Sequence, residues 1–307
     1  MTRVVNLAQH NLIMSYIRDV QTRVQDTQIQ MTSGYKSQRY SGIAADARPL
    51  VNLESSRARM DQYQANNKTV DLRLQTMETS TAQVLDAATK LKTLLTNAMN
   101  GSNANDMAVG MQAQNLLNEV AKQLNVKIGD RYLFAGSKTD TPPVDLSAPG
   151  YSAPPTIYPS VADTGYYQGD DAVMTTRAAD DYDISYGVTA NDPAFEKIIR
   201  ALQLTATVTT TPTLDRNRLQ DALSLADAAI SGLPTIRSGI GAAQNALETA
   251  NDDHADMSTY LDQSILNITS VDVPEAASRM ASDQLMLQAS YMTISQLGQL
   301  SLANYMR

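Results

Sequence analysis

The sequence predicts a mainly α protein. We expect an elongated, coiled-coil-like helical bundle formed by the N- and C-terminal segments, with a small β-rich domain inserted between them. Apolar residues recur in steps of three and four over two long segments, which is typical of packed helices. Seven of the eleven prolines lie between Pro142 and Pro193 and interrupt that pattern. Aromatic residues make up only 5% of the chain, with no Trp, which favours an aliphatic core between helices.

The first long periodic segment has no proline between Pro49 and Pro142. Its stripe of positions three and four apart consists of Leu53, Ser56, Met60, Tyr63, Asn67, Val70, Leu74, Met77, Thr81, Val84, Ala88, Leu91, Leu95 and Ala98. This pattern predicts one helix of roughly 70 Å at about 1.5 Å per residue. Asn100 and Gly101 carry turn chemistry and predict its end.

Three further helices are predicted. One follows the turn and carries apolar positions at Val109, Ala113, Leu117, Val120, Leu124 and Ile128. The stripe of another consists of Ile236, Ile240, Ala243, Leu247, Ala250, His254, Met257, Leu261, Ser264 and Ile268. Between them, residues 218–230 predict a helix that Ser231–Pro234 should stop. Packing these helices together builds the bundle from residues far apart in sequence.

The middle of the chain differs in composition. Residues 139–192 carry six of the fourteen Tyr and are rich in Gly, Asp and Thr, which indicates short strands and turns. A disordered loop is the alternative. Five carboxylates here could bind calcium, but they lack the spacing of a known calcium loop, and a solvated acidic surface is the favoured interpretation. They are Asp170, Asp171, Asp180, Asp181 and Asp183.

Both ends of the chain lack charge. No formally charged residue lies in Val4–Ile17, with His10 neutral, or in Gln284–Met306. A helix with uncharged polar groups all round can be enclosed by other helices without burying a charge. We therefore predict that the ends are mobile in the isolated chain and become ordered when copies assemble; an ordinary helix pair within one chain is the alternative. The predicted interface residues are Leu7, Ile13, Ile17, Val20, Val24, Leu287, Tyr291, Ile294, Leu297, Leu300 and Leu302.

Several classes of function are disfavoured. A net charge of −8 argues against nucleic acid and anionic membranes as partners, and the absence of Cys excludes thiol chemistry. His254 lies on a helical stripe and is interpreted as a packed residue, and the only other His, His10, is too distant to share a metal. No cofactor, metal or catalytic residue is predicted, so we expect no enzyme. The N-terminus lacks the pattern of a cleaved secretory signal.

Three segments resemble conserved elements of the flagellin family. They are Gln30–Lys36 (QMTSGYK), Ser41–Ala47 (SGIAADA, with Ala45 where the family has Asp) and Ile268–Ala277 (ITSVDVPEAA). The resemblance covers residues 1–138 and 235–307. Within the family, Arg131–Pro143 (RYLFAGSKTDTPP) is similar to hook–filament junction proteins, as are Leu287–Tyr291 and Leu297–Leu302. A junction protein is therefore favoured, and a filament flagellin is the alternative.

The resemblance implies an extracellular subunit of the bacterial flagellum. Residues 1–45 with 270–307 would form an inner-core assembly domain, 46–138 with 196–269 a helical bundle domain, and 139–195 an outer β-rich insertion. The partners it implies are copies of the chain, a hook-side junction protein, filament flagellin and the type III export apparatus. An export chaperone would bind the C-terminal helix.

Overall fold

A computed structural model describes the backbone of residues 2–100, 106–151, 156–208 and 215–305, and the side chains of 11–100, 108–151, 156–208 and 215–296. The helices are α1 (Thr2–Ser33), α2 (Ala47–Asn100), α3 (Asp106–Leu124), α4 (Pro193–Ala206), α5 (Arg216–Thr269) and α6 (Val273–Tyr305). Two short antiparallel hairpins pair β1 (Lys127–Ile128) with β2 (Arg131–Tyr132), and β3 (Met174–Ala179) with β4 (Tyr182–Tyr186). The prediction of a mainly helical protein with a small β-rich insertion is confirmed.

The chain divides into two compact units. The first comprises Met1–Arg59 and Met257–Arg307, and the second comprises Met60–Asp256. Helices α2 and α5 contribute residues to both. No helix in the described part of the chain is long and apolar enough to cross a membrane.

The α2 stripe forms the spine of the core in the second unit. All ten of its predicted positions from Asn67 to Ala98 are buried. The eight apolar ones pack with the apolar faces of α3, α4 and α5 in one continuous cluster. Leu74, Val84 and Leu91 are completely enclosed. A buried aliphatic side chain stabilises a fold by about 1.5–3 kcal/mol, so this stripe is a main source of stability.

Helices α2 and α5 run antiparallel, as their cross-links show. Nζ of Lys92 lies 2.8 Å from Oδ1 of Asp227, and Nε of Arg237 donates to Oε1 of Glu78 at 2.9 Å. Within the first unit, Nε of Arg57 donates to Oδ1 of Asp262 at 2.9 Å. Residue numbers rise on one helix as they fall on the other. The bundle is therefore built from distant parts of the sequence, as predicted.

The predicted stop at Pro234 is wrong, because α5 continues through this proline. Leu233 is completely buried, and a Cβ placed on Gly232 would lie 3.1 Å from Cβ of Ala194 on α4. Proline in a helix interior costs about 3 kcal/mol through its missing N–H and its ring. Close packing of this turn against α4 compensates for that loss.

Two predicted stripe positions are also wrong. Ile128 lies in β1 rather than on α3, because the helix ends at Leu124 and the chain turns into the first hairpin. Met257 is 48% exposed, whereas Ser258 is only 7% exposed. The buried stripe of α5 takes two successive steps of four residues here, from Ala250 to His254 and from His254 to Ser258. The prediction assumed that steps of three and four alternate strictly, and it therefore placed Met257 in the stripe.

The insertion is folded where the structure describes it. The β3–β4 hairpin turns at Asp181, which adopts a left-handed φ of 58°. Its inward residues Ala178, Ile184 and Tyr186 are buried. The interpretation as short strands and turns therefore holds over the described residues of this segment.

Candidate assembly surface on the terminal helices

Helices α1 and α6 form an antiparallel pair, which we call the terminal pair. Nη2 of Arg23 donates to Oδ1 of Asp283 at 2.9 Å, and Nε2 of Gln21 donates to the hydroxyl of Tyr291 at 2.7 Å. The hydrogen bond with Asp283 raises the pKa of the Arg23 guanidinium above its usual value. These two contacts fix how the helices are aligned along their axes.

Turns with defined capping chemistry flank the terminal pair. Helix α1 ends at Ser33, and Gly34 follows in the left-handed region at φ 76° with its N–H on the carbonyl of Gln30. At the start of α6, Oδ1 of Asp272 accepts from the backbone N–H of Glu275 at 3.1 Å. Val271 also donates to the carbonyl of Gly34 at 2.9 Å. Two segments of the family resemblance thus provide the turn after α1 and the cap before α6.

The two helices meet along a regular seam. Its positions are buried or half-buried and follow strict steps of four and three on each helix, the spacing of coiled-coil contacts. The seam consists of Ile13, Ile17, Val20, Val24, Thr27 and Met31 on α1, and of Ala276, Met280, Asp283, Leu287, Ser290 and Ile294 on α6. Ile17 and Val20 are each only 4% exposed.

The seam accounts for several of the predicted interface residues. Ile13, Ile17, Val20, Val24, Leu287 and Ile294 lie in it. Tyr291 borders it and is 49% exposed. Side chains of Leu7, Leu297, Leu300 and Leu302 lie outside the described residues. The structure thus contains the helix pair of the alternative interpretation, and ordering of the ends on assembly stays a prediction.

The side of α6 that faces away from the seam carries two large apolar residues that are exposed. Leu285 is 66% exposed and Met292 is 62% exposed. The two residues are seven positions apart, about two helical turns, so they lie on one face. Gln288 and Ala289 are exposed between them, and no charged residue follows Asp283 before Arg307. We call Leu285, Gln288, Ala289 and Met292 the outward face.

The first half of α1 adds exposed apolar side chains. Leu12 is 55% exposed and Tyr16 is 61% exposed. An isolated helix pair normally presents charge on its outer sides. Neither these residues nor the outward face were predicted as contacts. The sequence did contain a signal for them. Once Ile17 and Leu287 define the seam, large apolar residues remain on both helices at positions outside the seam.

A second cluster of polar side chains holds the β3–β4 hairpin inside the second unit. The backbone carbonyl of Ala178 lies 3.1 Å from Nδ2 of Asn67, which donates to it, and 2.8 Å from Nε2 of His254. The strand register shifts between Arg177 and Ala179, so Ala178 lies at the irregularity. The His254 ring stacks on Tyr63 with centroids 5.4 Å apart. The interpretation of His254 as a packed residue is confirmed.

The acidic residues of the insertion are distributed over separate contacts. Asp170 accepts from the backbone N–H and hydroxyl of Ser137, and these bonds lower the pKa of its carboxyl. Asp180 accepts from the hydroxyl of Tyr63 at 2.7 Å, and Asp181 pairs with Arg177 at 3.0 Å. Among the described residues, no three His, Cys, Asp or Glu side chains converge as a metal site would require.

A buried ion pair on α4 holds Ser160 and Asp163 of the insertion. Nε of Arg200 lies 3.0 Å from Oε1 of Glu196, without the alignment of a hydrogen bond, and Nη2 of Arg200 donates to Oε2 at 3.2 Å. Arg200 also donates to the hydroxyl of Ser160 at 3.1 Å, and Glu196 accepts from the backbone N–H of Asp163 at 3.1 Å. Glu196 is 3% and Arg200 7% exposed, so both side chains bond within the fold, although Nε of Arg200 has no hydrogen-bond partner.

Two family models match the chain. The bacterial flagellin N-terminal helical region matches residues 4–139, and the bacterial flagellin C-terminal helical region matches residues 223–306. Together they span most of the sequence. No curated protein matches the sequence significantly.

Solved structures of flagellar proteins share the fold. A flagellar hook-associated protein from Vibrio parahaemolyticus has a TM-score of 0.60 at 17% identity, covering 74% of this chain and 99% of its own. FlgL of Bacillus cereus has a TM-score of 0.56 at 18% identity, with coverages of 71% and 99%. Flagellar hook-associated protein 3 of Legionella pneumophila has a TM-score of 0.57 at 16% identity, with coverages of 70% and 98%. At these identities the likeness concerns the fold.

Proposed function

The chain belongs to the bacterial flagellin family and is a structural subunit of the flagellum, and we propose that it is placed at the junction between hook and filament. The outward face is the observation that supports assembly, because Leu285 and Met292 are more than half exposed on a side of α6 without charge. Covering such a face with other subunits removes apolar surface from water and buries no charge. Position at the junction is supported by the sequence segment 131–143 and by the fold shared with FlgL and hook-associated protein 3.

We also propose a place in the assembly for each part of the chain. We assign residues 1–45 with 270–307 to the inner core of the assembly, 46–138 with 196–269 to the bundle around it, and 139–195 to the outer surface. The first assignment is supported by the seam and the outward face. The last is supported by exposed charged side chains on the β3–β4 hairpin: the Arg177 side chain is 58% exposed and that of Asp181 is 97% exposed.

Labelling in situ tests the position. A short epitope placed at Ile157 should leave the bundle intact, because this side chain is 80% exposed. Immunogold label confined to the end of the hook supports the junction. Label along the whole filament would instead establish the second candidate, a filament flagellin, which the same two family models also fit.

Export partners form a separate proposal. The part of α6 from Gln284 onwards has no charge and requires cover before assembly, and a chaperone that binds α6 in the cytoplasm would provide it. We also propose passage through the flagellar export apparatus without cleavage. Cross-linking from position 285 in cells should capture such a chaperone, and capture of assembled neighbours alone would contradict it.

A further inference from the structure

Methionine is concentrated in the segments that form the terminal pair. Seven of the fourteen methionines lie in residues 1–45 and 270–307, little more than a quarter of the chain. The sequence has no Cys, so the methionine thioethers are the only side-chain sulfur atoms in the chain that an oxidant can attack. Two of them are well exposed on α6: Met292 at 62% and Met286 at 49%.

We propose that Met292, with Met286, is an oxidation site through which peroxide prevents assembly of the subunit; this rests on the proposed function of the outward face. In the reaction, the thioether sulfur attacks one oxygen of hydrogen peroxide. The O–O bond breaks and an S=O bond forms. Sulfur loses two electrons, and the second oxygen leaves as water with the proton of the first. The product is a methionine sulfoxide.

The position of Met292 gives the oxidation its effect. Ala289 and Leu285 are exposed apolar residues on the same face, and no charged residue is close in sequence. A sulfoxide oxygen is a strong hydrogen-bond acceptor, and burying it against an apolar neighbour without a donor is unfavourable. In the free subunit the same oxygen is solvated. Oxidation therefore penalises the assembled state selectively.

Met286 adds an effect within the terminal pair. Nη2 of Arg23 lies 3.9 Å from Sδ of Met286 while it also donates to Asp283 at 2.9 Å. A sulfoxide oxygen on this sulfur competes with the carboxylate for the guanidinium. Oxidation of Met286 thus weakens the contact that aligns α1 with α6.

Assembly should in turn protect the sulfur. Once a neighbour covers the outward face, peroxide no longer reaches Met292. A subunit that meets peroxide before assembly is not incorporated, whereas a subunit that meets peroxide after assembly stays in place. The surface consequently discriminates damaged from intact subunits at the moment of incorporation.

The test uses the full-length protein, hydrogen peroxide, and both isolated hooks and isolated flagella as seeds. Treated and untreated subunits are incubated with seeds and pelleted, and sulfoxides are located by mass spectrometry. We expect incorporation to fall about tenfold or more after conversion of Met292, and methionine sulfoxide reductases to restore it. In Met286→Leu/Met292→Leu, incorporation after peroxide is compared with that of the same variant left untreated, and peroxide should no longer lower it. Met111→Leu is the matched control, because Met111 on α3 is also 62% exposed, and it should remain sensitive.

The outcomes separate the two proposals. Normal incorporation of subunits with fully oxidised Met292, or a double variant as sensitive as the wild type, overturns the oxidation site alone. Reductase treatment that removes the sulfoxides without restoring incorporation also overturns it, and this measurement does not depend on any variant. Failure of untreated subunits to join any seed overturns the assembly function and the oxidation site with it.

Discussion

Leu285 and Leu287 lie two positions apart on α6 but on opposite sides of it: Leu287 is half-buried in the seam with α1, and Leu285 is 66% exposed. Two residues turn a helix by about 200°. Identical substitutions at these positions therefore separate pairing within the subunit from contact between subunits.

We expect Leu285→Asp to abolish assembly while the terminal pair keeps its structure, because the new charge is solvated in the free subunit and buried only in the polymer. Leu287→Asp should instead loosen the terminal pair. The measurements are amide hydrogen exchange of α1 and sedimentation with seeds. Normal assembly of Leu285→Asp would contradict the role of the outward face, and unchanged exchange in Leu287→Asp would contradict the seam.

Asn67 and His254 should be energetically coupled, because both bind the carbonyl of Ala178. Asn67→Leu or His254→Phe alone leaves this carbonyl one partner, and we expect each to cost about 1–2 kcal/mol. The double variant leaves it with neither, so its cost should exceed the sum. Urea unfolding of the four proteins measures the coupling. Hydrogen exchange of residues 174–186 should rise in parallel, with exposed Gln62→Ala as the unaffected control. Strict additivity would show that the two side chains act independently.

Glu196→Ala should destabilise the second unit strongly, because it leaves Arg200 buried at 7% exposure without its carboxylate. Loss of one partner of a buried pair costs about 3–5 kcal/mol. Glu196→Leu/Arg200→Met should recover part of this loss, since it removes the unpaired charge. Thermal unfolding ranks the variants. A double variant less stable than Glu196→Ala would show that the hydrogen bonds to Ser160 matter more than the charge balance.

Three insertion tyrosines should make the protein sensitive to alkali. Burial is the main cause that raises the pKa of Tyr167 from 10.0 to about 12, and it also raises those of Tyr151 and Tyr166. A folded-state pKa above the unfolded value stabilises the fold fully below pH 10, and this contribution is lost as pH rises towards 12. Absorbance at the tyrosinate band, followed with circular dichroism, should show these three groups ionising only with unfolding. Tyr167→Phe should remove one of them and reduce the slope of stability against pH. Ionisation of all tyrosines near pH 10 in a folded chain would contradict this.

Periodicity was a good guide where one face of a helix meets one core. The stripe from Asn67 to Ala98 is buried at every predicted position. Periodicity failed at Met257, where the stripe changes its step, and the rule that proline ends a helix failed at Pro234, where packing against α4 decides the outcome. These are tertiary effects that a one-dimensional repeat cannot report.

The ends show a different limit. Spacing identified Ile17, Val20 and Leu287 as contact residues, and all three do lie in a contact. Periodicity alone cannot distinguish a seam within one chain from one between chains. Leu285 and Met292 become candidates only after the structure has assigned the seam, because surface exposure is defined by what the first contact leaves uncovered.

The partnership of Arg23 with Asp283 joins residues 260 positions apart. Contacts of such sequence separation carry a large loop-closure entropy and slow the folding of a domain. A growing chain cannot complete the seam until α6 has been synthesised, so α1 has no partner during almost all of translation. The topology thereby delays folding. The longer the sequence between α1 and α6, the longer the chain remains unfolded during its synthesis.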